Sequence, residues 1–179
     1  MAITRLGGAN AITGTIPTSV APGQGKVLQV VTTTNTTNTF TSNSTSEVDI
    51  EFNSVVFELS ITPSSASSKI YVMANVPART AHNTIANGRY GISLHSKIGA
   101  GSYSKIWLNS TAGSWLGSYD YGNSGSQVGI ILPLHYLHLP NSTDEIKYKL
   151  KIKVGDSSNT VSINRDTAGT QITAMEIKG

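Results

Sequence analysis

The chain has 179 residues, with 13 Lys and Arg against 10 Asp and Glu, a formal net charge of +3 and no cysteine. That length fits one domain, and the missing cysteines exclude disulfides and thiolate metal sites. The basic residues are too few to suggest a nucleic-acid partner, whose binders cluster Lys and Arg with aromatics. No run of 18 apolar residues is present, so no membrane-inserted helix is expected.

Residues 1–25 carry one charge, Arg5, and are punctuated by Gly7, Gly8, Gly14, Pro17, Pro22, Gly23 and Gly25. They hold no periodicity long enough for an element. The segment reads as a disordered tail or, since Ile3, Leu6, Ile12, Ile16 and Val20 give it something apolar to bury, as an extended N-terminal arm docking on a neighbouring subunit, with Ile3, Arg5, Leu6, Ile12 and Ile16 as candidate anchors. The segment also lacks the basic start and apolar block of a signal peptide. Residues 26–179 read as one β-sandwich domain.

Val27 to Val31 is a short β-branched run, and Thr32 to Ser46 reads as a low-complexity loop with a brief strand in it. Val48, Ile50 and Phe52 alternate with polar residues, as a half-buried strand requires. After Asn53 and Ser54 the apolar parity changes to Val55, Phe57, Leu59 and Ile61, so a bulge or tight turn belongs there. Pro63 to Ser68 is a turn. Further strands follow at Ile70 to Val76, Arg89 to Ser96, Val128 to Leu139, Ile146 to Val154, Val161 to Arg165 and Gln171 to Lys178. Val128 to Leu139 is apolar on both parities, which suggests burial on both sides, and Pro133 within it argues for a bulge or an edge. Eight to ten strands at this spacing predict an all-β sandwich, of jelly-roll type.

Chemistry finds little support. There is no G-x-S-x-G, and no local signature of an acyl-transfer triad. His135 and His138 lie three apart on a strand and so face opposite sides, unable to share a metal within it. His82 and His95 lack a nearby carboxylate run in sequence. Asp49 and Glu51 share the outer face of one strand, which reads as solvated rather than as the facing pair of a glycosidase. No catalytic residue, metal or cofactor is expected.

Two constellations point to partners. Lys147, Lys149, Lys151 and Lys153 alternate with Tyr148, Leu150 and Ile152, giving a basic stripe on one outer face; it reads as a solubilising row or as a guide for an anionic partner. Residues 99–129 set Tyr103, Trp107, Trp115, Tyr119 and Tyr121 among Gly and Ser, with Asn109 and Asp120 between them. Rigid aromatics among small polar residues are the composition of binding loops, and also of Trp side chains that plug the end of a sandwich.

The start, AITRLGGANAITGTIP, followed by GKVLQVV and a Thr/Asn/Ser stretch, resembles the N-terminal region of small virion proteins encoded by tailed bacteriophages, especially marine ones. ITPSSASSKIYV resembles a recurring strand, Ser-rich turn and strand of those proteins, and GTQITAMEIKG resembles their last strand. Residues 77–165 lie outside the resemblance, and no catalytic residue is carried over from it. The resemblance implies a virion-located short fibre or tail-fibre-like protein, homotrimeric and attached to other virion proteins by its N-terminal segment. It would be made in the host cytoplasm; the composition of residues 99–129, which the resemblance does not cover, makes them the candidate contact with a host surface glycan. The short length departs from long tail fibres and leaves a capsid decoration protein as the alternative.

Overall fold

A computed structural model of the chain describes residues 25–81, 90–107, 127–165 and 169–179. Strand segments follow one another as β1 (Val27–Asn35), β2 (Phe40–Ser42), β3 (Val48–Asp49), β4 (Glu51–Phe52), β5 (Val55–Val56), β6 (Glu58–Ile61) and β7 (Lys69–Ala81). Then come β8 (Tyr90–Ile98), β9 (Ser104–Trp107), β10 (Gln127–His138), β11 (Ile146–Val154), β12 (Thr160–Ile163) and β13 (Thr170–Ile177). All their pairings are antiparallel.

The registers reduce these segments to eight strands. β10 occupies one edge of β7 from Ile70 to Ala81, so β13 and β12, which pair with β7 at 69–75 and 78–81, must share the other edge. They form one strand interrupted at 164–169. β1 pairs with β13 and β2 with β12, which makes them one interrupted strand as well. On β11, β3 and β6 share the edge opposite β8, with the β4–β5 hairpin inserted between them. Counted this way, the first sheet runs first, eighth, third, sixth, and the second sheet runs second, seventh, fourth, fifth. Two four-stranded sheets in that order make a jelly roll. The expected fold class is therefore observed.

The core lies between the sheets. Ile70, Val72, Ala74 and Val76 of β7 meet Tyr148, Leu150 and Ile152 of β11 in one buried cluster, which also takes in Tyr90, Ile92 and Leu94 of β8. Each fully buried aliphatic side chain of this kind contributes roughly 1.5–3 kcal/mol. The parity change after Phe52 is a two-residue hairpin turn: Asn53 and Ser54 both have positive φ, 54° and 64°, as a type I′ turn demands. The hairpin lets Phe52 and Phe57 both face the core, their rings edge to face at 5.2 Å.

Two sequence expectations change. Thr32 to Asn35 belongs to β1 rather than to a loop, because its backbone pairs with Thr170 to Thr173 and the Thr32 and Thr173 hydroxyls sit 3.1 Å apart. From Ile131 onward β10 is buried on one side only: Leu132 and Leu134 face the core while Ile131 is 64% and Leu137 46% exposed. Its only partner among the described residues is β7, so Pro133 lies on an edge strand, where its missing N–H is tolerated.

Candidate interaction faces

The sandwich presents two outer faces of opposite chemistry. On the second sheet, the odd-numbered lysines of β11 do share one face, as alternation requires. They meet carboxylates from the neighbouring strand: Lys149 Nζ is 2.8 Å from Asp49, Lys151 Nζ 3.6 Å from the same carboxylate, and Lys147 Nζ 3.0 Å from Glu58. Tyr103 donates its hydroxyl to Glu58, and the ammonium groups of Lys149 and Lys97 lie 4.0 and 5.2 Å from its ring centre. Burial raises the Tyr103 hydroxyl, and the Glu58 carboxylate raises it further. The row is therefore a compensated ion-pair lattice rather than a bare positive stripe, and Asp49 is held in it rather than simply solvated.

Beside the lattice, His95 is buried and Glu47, immediately before β3, reaches it with Oε2 3.4 Å from His95 Nε2. Lys105 of β9 pairs with the same Glu47. Burial pushes the His95 imidazole below its ordinary value; Glu47 opposes this, and Lys151, Lys105 and Lys149 reinforce it. Ser93 Oγ lies 3.0 Å from His95 Nε2, so the three side-chain types of a hydrolytic triad meet here. Serine and carboxylate approach the same ring nitrogen, whereas a relay needs them on opposite ones. The geometry fixes the imidazole rather than passing a proton through it. Sequence spacing missed this cluster because its members come from β8, from β9 and from the residue preceding β3.

The outer face of the first sheet carries no Asp, Glu, Lys or Arg between Lys69 and Arg79 at the two ends of β7. Cross-strand registers set Val30, Met175, Tyr71 and Leu137 in one row of large apolar side chains. The next row is Thr32, Thr173, Met73 and His135, and the third is Thr34, Gln171, Asn75 and Pro133. Beyond the third row lies a depression of about 440 Å³ lined by Thr34, Asn75, Pro77, Ile131, Gly169 and Gln171. Of the seven large hydrophobic side chains found exposed among the described residues, five are on this sheet, Val27, Leu28 and Val30 on β1 and Ile131 and Leu137 on β10, and a sixth, Leu139, follows β10 directly.

The two histidines of β10 separate as their spacing requires. His135 is exposed, with Nδ1 3.1 Å from the Tyr71 hydroxyl. His138 turns inward, its Nδ1 2.7 Å from the Tyr148 hydroxyl, and burial lowers its pKa. Of the aromatic constellation, Tyr103 is engaged in the ion-pair lattice and Trp107 is half-buried against the core. Asn109, Trp115, Tyr119, Asp120 and Tyr121 lie outside the described residues, as do His82 and the anchors Ile3, Arg5, Leu6, Ile12 and Ile16.

No protein-family model and no curated protein matches the chain. Among solved structures it is similar to three from infectious bursal disease virus. The Gx strain structure gives a TM-score of 0.45 at 14% identity, covering 86% of this chain and 33% of that one. The VP2 subviral particle gives 0.38 at 13%, covering 84% and 38%. The T13 viral particle gives 0.39 at 12%, covering 84% and 36%. The chain thus spans little more than a third of the proteins it matches, and the jelly-roll assignment rests on its own strand pairing.

Proposed function

We propose that the chain is a non-enzymatic structural subunit of a virus particle, a short fibre or tail-fibre-like protein attached through residues 1–25. The observation that carries this reading is the uncharged, partly apolar outer face of the first sheet, in a chain whose ends resemble small virion proteins of tailed phages. Exposed apolar side chains gathered on one face and rimmed by polar ones mark a surface for packing against protein. A jelly roll hosts many activities, so the reading stands on the face and not on the fold. Contact with a host surface glycan is assigned to residues 99–129, and homotrimeric assembly follows the resemblance.

A second reading is capsid decoration without receptor contact. It is favoured by the engagement of Tyr103 and Trp107 within the fold, which leaves neither as a free aromatic platform. Gold-labelled antibody on purified particles separates the two. Label at the tail or vertices supports the fibre, and label at regularly spaced capsid sites supports decoration. Particles without label overturn both.

A further inference from the structure

The uncharged face has an internal geometry that selects a partner. Its apolar row (Val30, Met175, Tyr71 and Leu137) and the row bordering its depression (Thr34, Gln171, Asn75 and Pro133) lie on the same four strands. Tyr71 and Asn75 are four residues apart, about 13 Å along the strand. The row of Thr32, Thr173, Met73 and His135 runs midway between them.

We propose that this face packs against the same face of a second copy, about a two-fold axis lying in the plane of the face along that middle row. Rotation about such an axis keeps each strand's position across the sheet and reverses position along it. The apolar row of each copy is then set over the depression side of the other, twice over, as an isologous contact requires. Like charges, which self-pairing would force together, are absent from the rows that meet. The opposite outer face lacks this property, since it carries Lys147, Lys149 and Lys151, already paired with Asp49 and Glu58 within one chain.

Size supports the same partner. Four strands at about 4.8 Å spacing and some eight residues at about 3.4 Å rise, taken from Lys69 to Pro77, give roughly 500 Å² per copy, or about 1,000 Å² in all, and set Lys69 over the Pro77 position of the other copy rather than over a like charge. That reaches the floor for a specific interface, about 1,000 Å². The contact is two-fold and separate from the trimer expected by resemblance. It concerns the isolated chain, so its failure leaves the virion reading standing.

Sedimentation velocity on the full chain between about 1 and 100 μM tests it. The wild type is expected to pass from monomer to dimer with concentration. Met73→Glu and Met73→Arg, at a half-buried outward position on the axis, are each expected to remain monomeric. An equimolar mixture of the two is expected to recover the dimer, because residue 73 then meets its opposite charge. Thr173→Glu and Thr173→Lys repeat the exchange on β13 if either Met73 variant unfolds. A wild type monomeric throughout, a dimer or trimer indifferent to Met73→Glu, or a mixture that stays monomeric overturns the proposal. So does loss of association on deleting residues 1–24 alone, which would assign the contact to the arm.

Discussion

Glu176, on an inward position of β13, accepts two hydrogen bonds from Ser64, one from its backbone N–H and one from its hydroxyl, both at 2.7 Å. Ser68 Oγ and Gln29 Nε2 add two more at 2.7 Å, and the side chain is 1% exposed. The Ser-rich turn at 63–68 is thus a cradle for a buried carboxylate that has no cation beside it among these contacts. Burial raises the Glu176 pKa, but the donors from Ser64, Ser68 and Gln29 outweigh it and leave it below the ordinary value. A carboxyl depressed in the fold contributes stability above its unfolded pKa and loses it as pH falls through the folded one. Glu176→Gln is expected to cost about 1.5–3 kcal/mol near pH 7 in urea unfolding, the range for a hydrogen bond to a charged group. The cost should shrink below the ordinary carboxylate range; a cost constant with pH would show that charge is not what the serines hold.

His138 gives a second pH-dependent element at higher pH. Burial lowers its pKa in the fold, so the unfolded chain binds the proton more readily. Its contribution to stability is present above the unfolded histidine value and is lost as pH falls through the folded one. His138→Phe should flatten the stability profile just below the ordinary histidine range, read by thermal unfolding at a series of pH values. An unchanged slope there would assign the acid sensitivity elsewhere, with His95 the next group to replace.

Asn164 holds the break in the eighth strand. Its amide nitrogen donates to Asn35 Oδ1 at 3.0 Å and to the Asn38 carbonyl at 2.9 Å, and its Oδ1 accepts from the Gly169 N–H. It thereby ties the interruption between β12 and β13 to the one between β1 and β2. Its φ is +58°, a conformation costing a Cβ-bearing residue about 1–2 kcal/mol. Asn164→Gly loses the hydrogen bonds and keeps the backbone; Asn164→Ala loses both. Alanine is therefore expected to be the more destabilising by about 1 kcal/mol. Equal effects would locate the whole contribution in the side chain.

What sequence patterning reveals follows from how local each determinant is. Ile146 to Val154 was readable because inward and outward positions alternate without exception, and the turn at Asn53 and Ser54 because the apolar parity changes there. The merging of β12 with β13 was not readable, since it depends on Asn164 reaching Asn35 and Asn38 across the chain. The charge state of the lysine row was hidden for the same reason: Asp49 and Glu58 lie far from Lys149 and Lys147 in sequence. Thr32 to Asn35 looks like a loop by composition and becomes strand only through its pairing with β13. Glu176 did leave a signal, a carboxylate on the inward parity of Ile172 and Ala174.

The β4–β5 turn offers a stabilising change. Both Asn53 and Ser54 hold positive φ, and glycine is the residue that adopts this conformation without Cβ strain at the second turn position. Ser54→Gly is expected to raise stability by about 0.5–1 kcal/mol, the relief of left-handed strain partly offset by the greater freedom of the unfolded chain. A loss of stability would mean that the exposed Ser54 side chain makes a compensating contact.

The Lys149 and Asp49 pair tests what the ion-pair lattice contributes. Lys149 is 8% exposed, its ammonium 2.8 Å from Asp49 and 4.0 Å from the Tyr103 ring centre. Removing Asp49 leaves a nearly buried ammonium with the Tyr103 ring but without its carboxylate, and Asp49→Ala is expected to cost about 3 kcal/mol. Desolvating both charges offsets much of their attraction, so replacing the two together by Asp49→Leu and Lys149→Met should recover most of that loss. A double-mutant cycle by urea unfolding reads the difference. Additive costs would show the two side chains acting independently, the Tyr103 ring sufficing for the ammonium. Recovery in the double variant would show that the lattice adds little net stability and serves to hold this face in one register against its neighbouring strand.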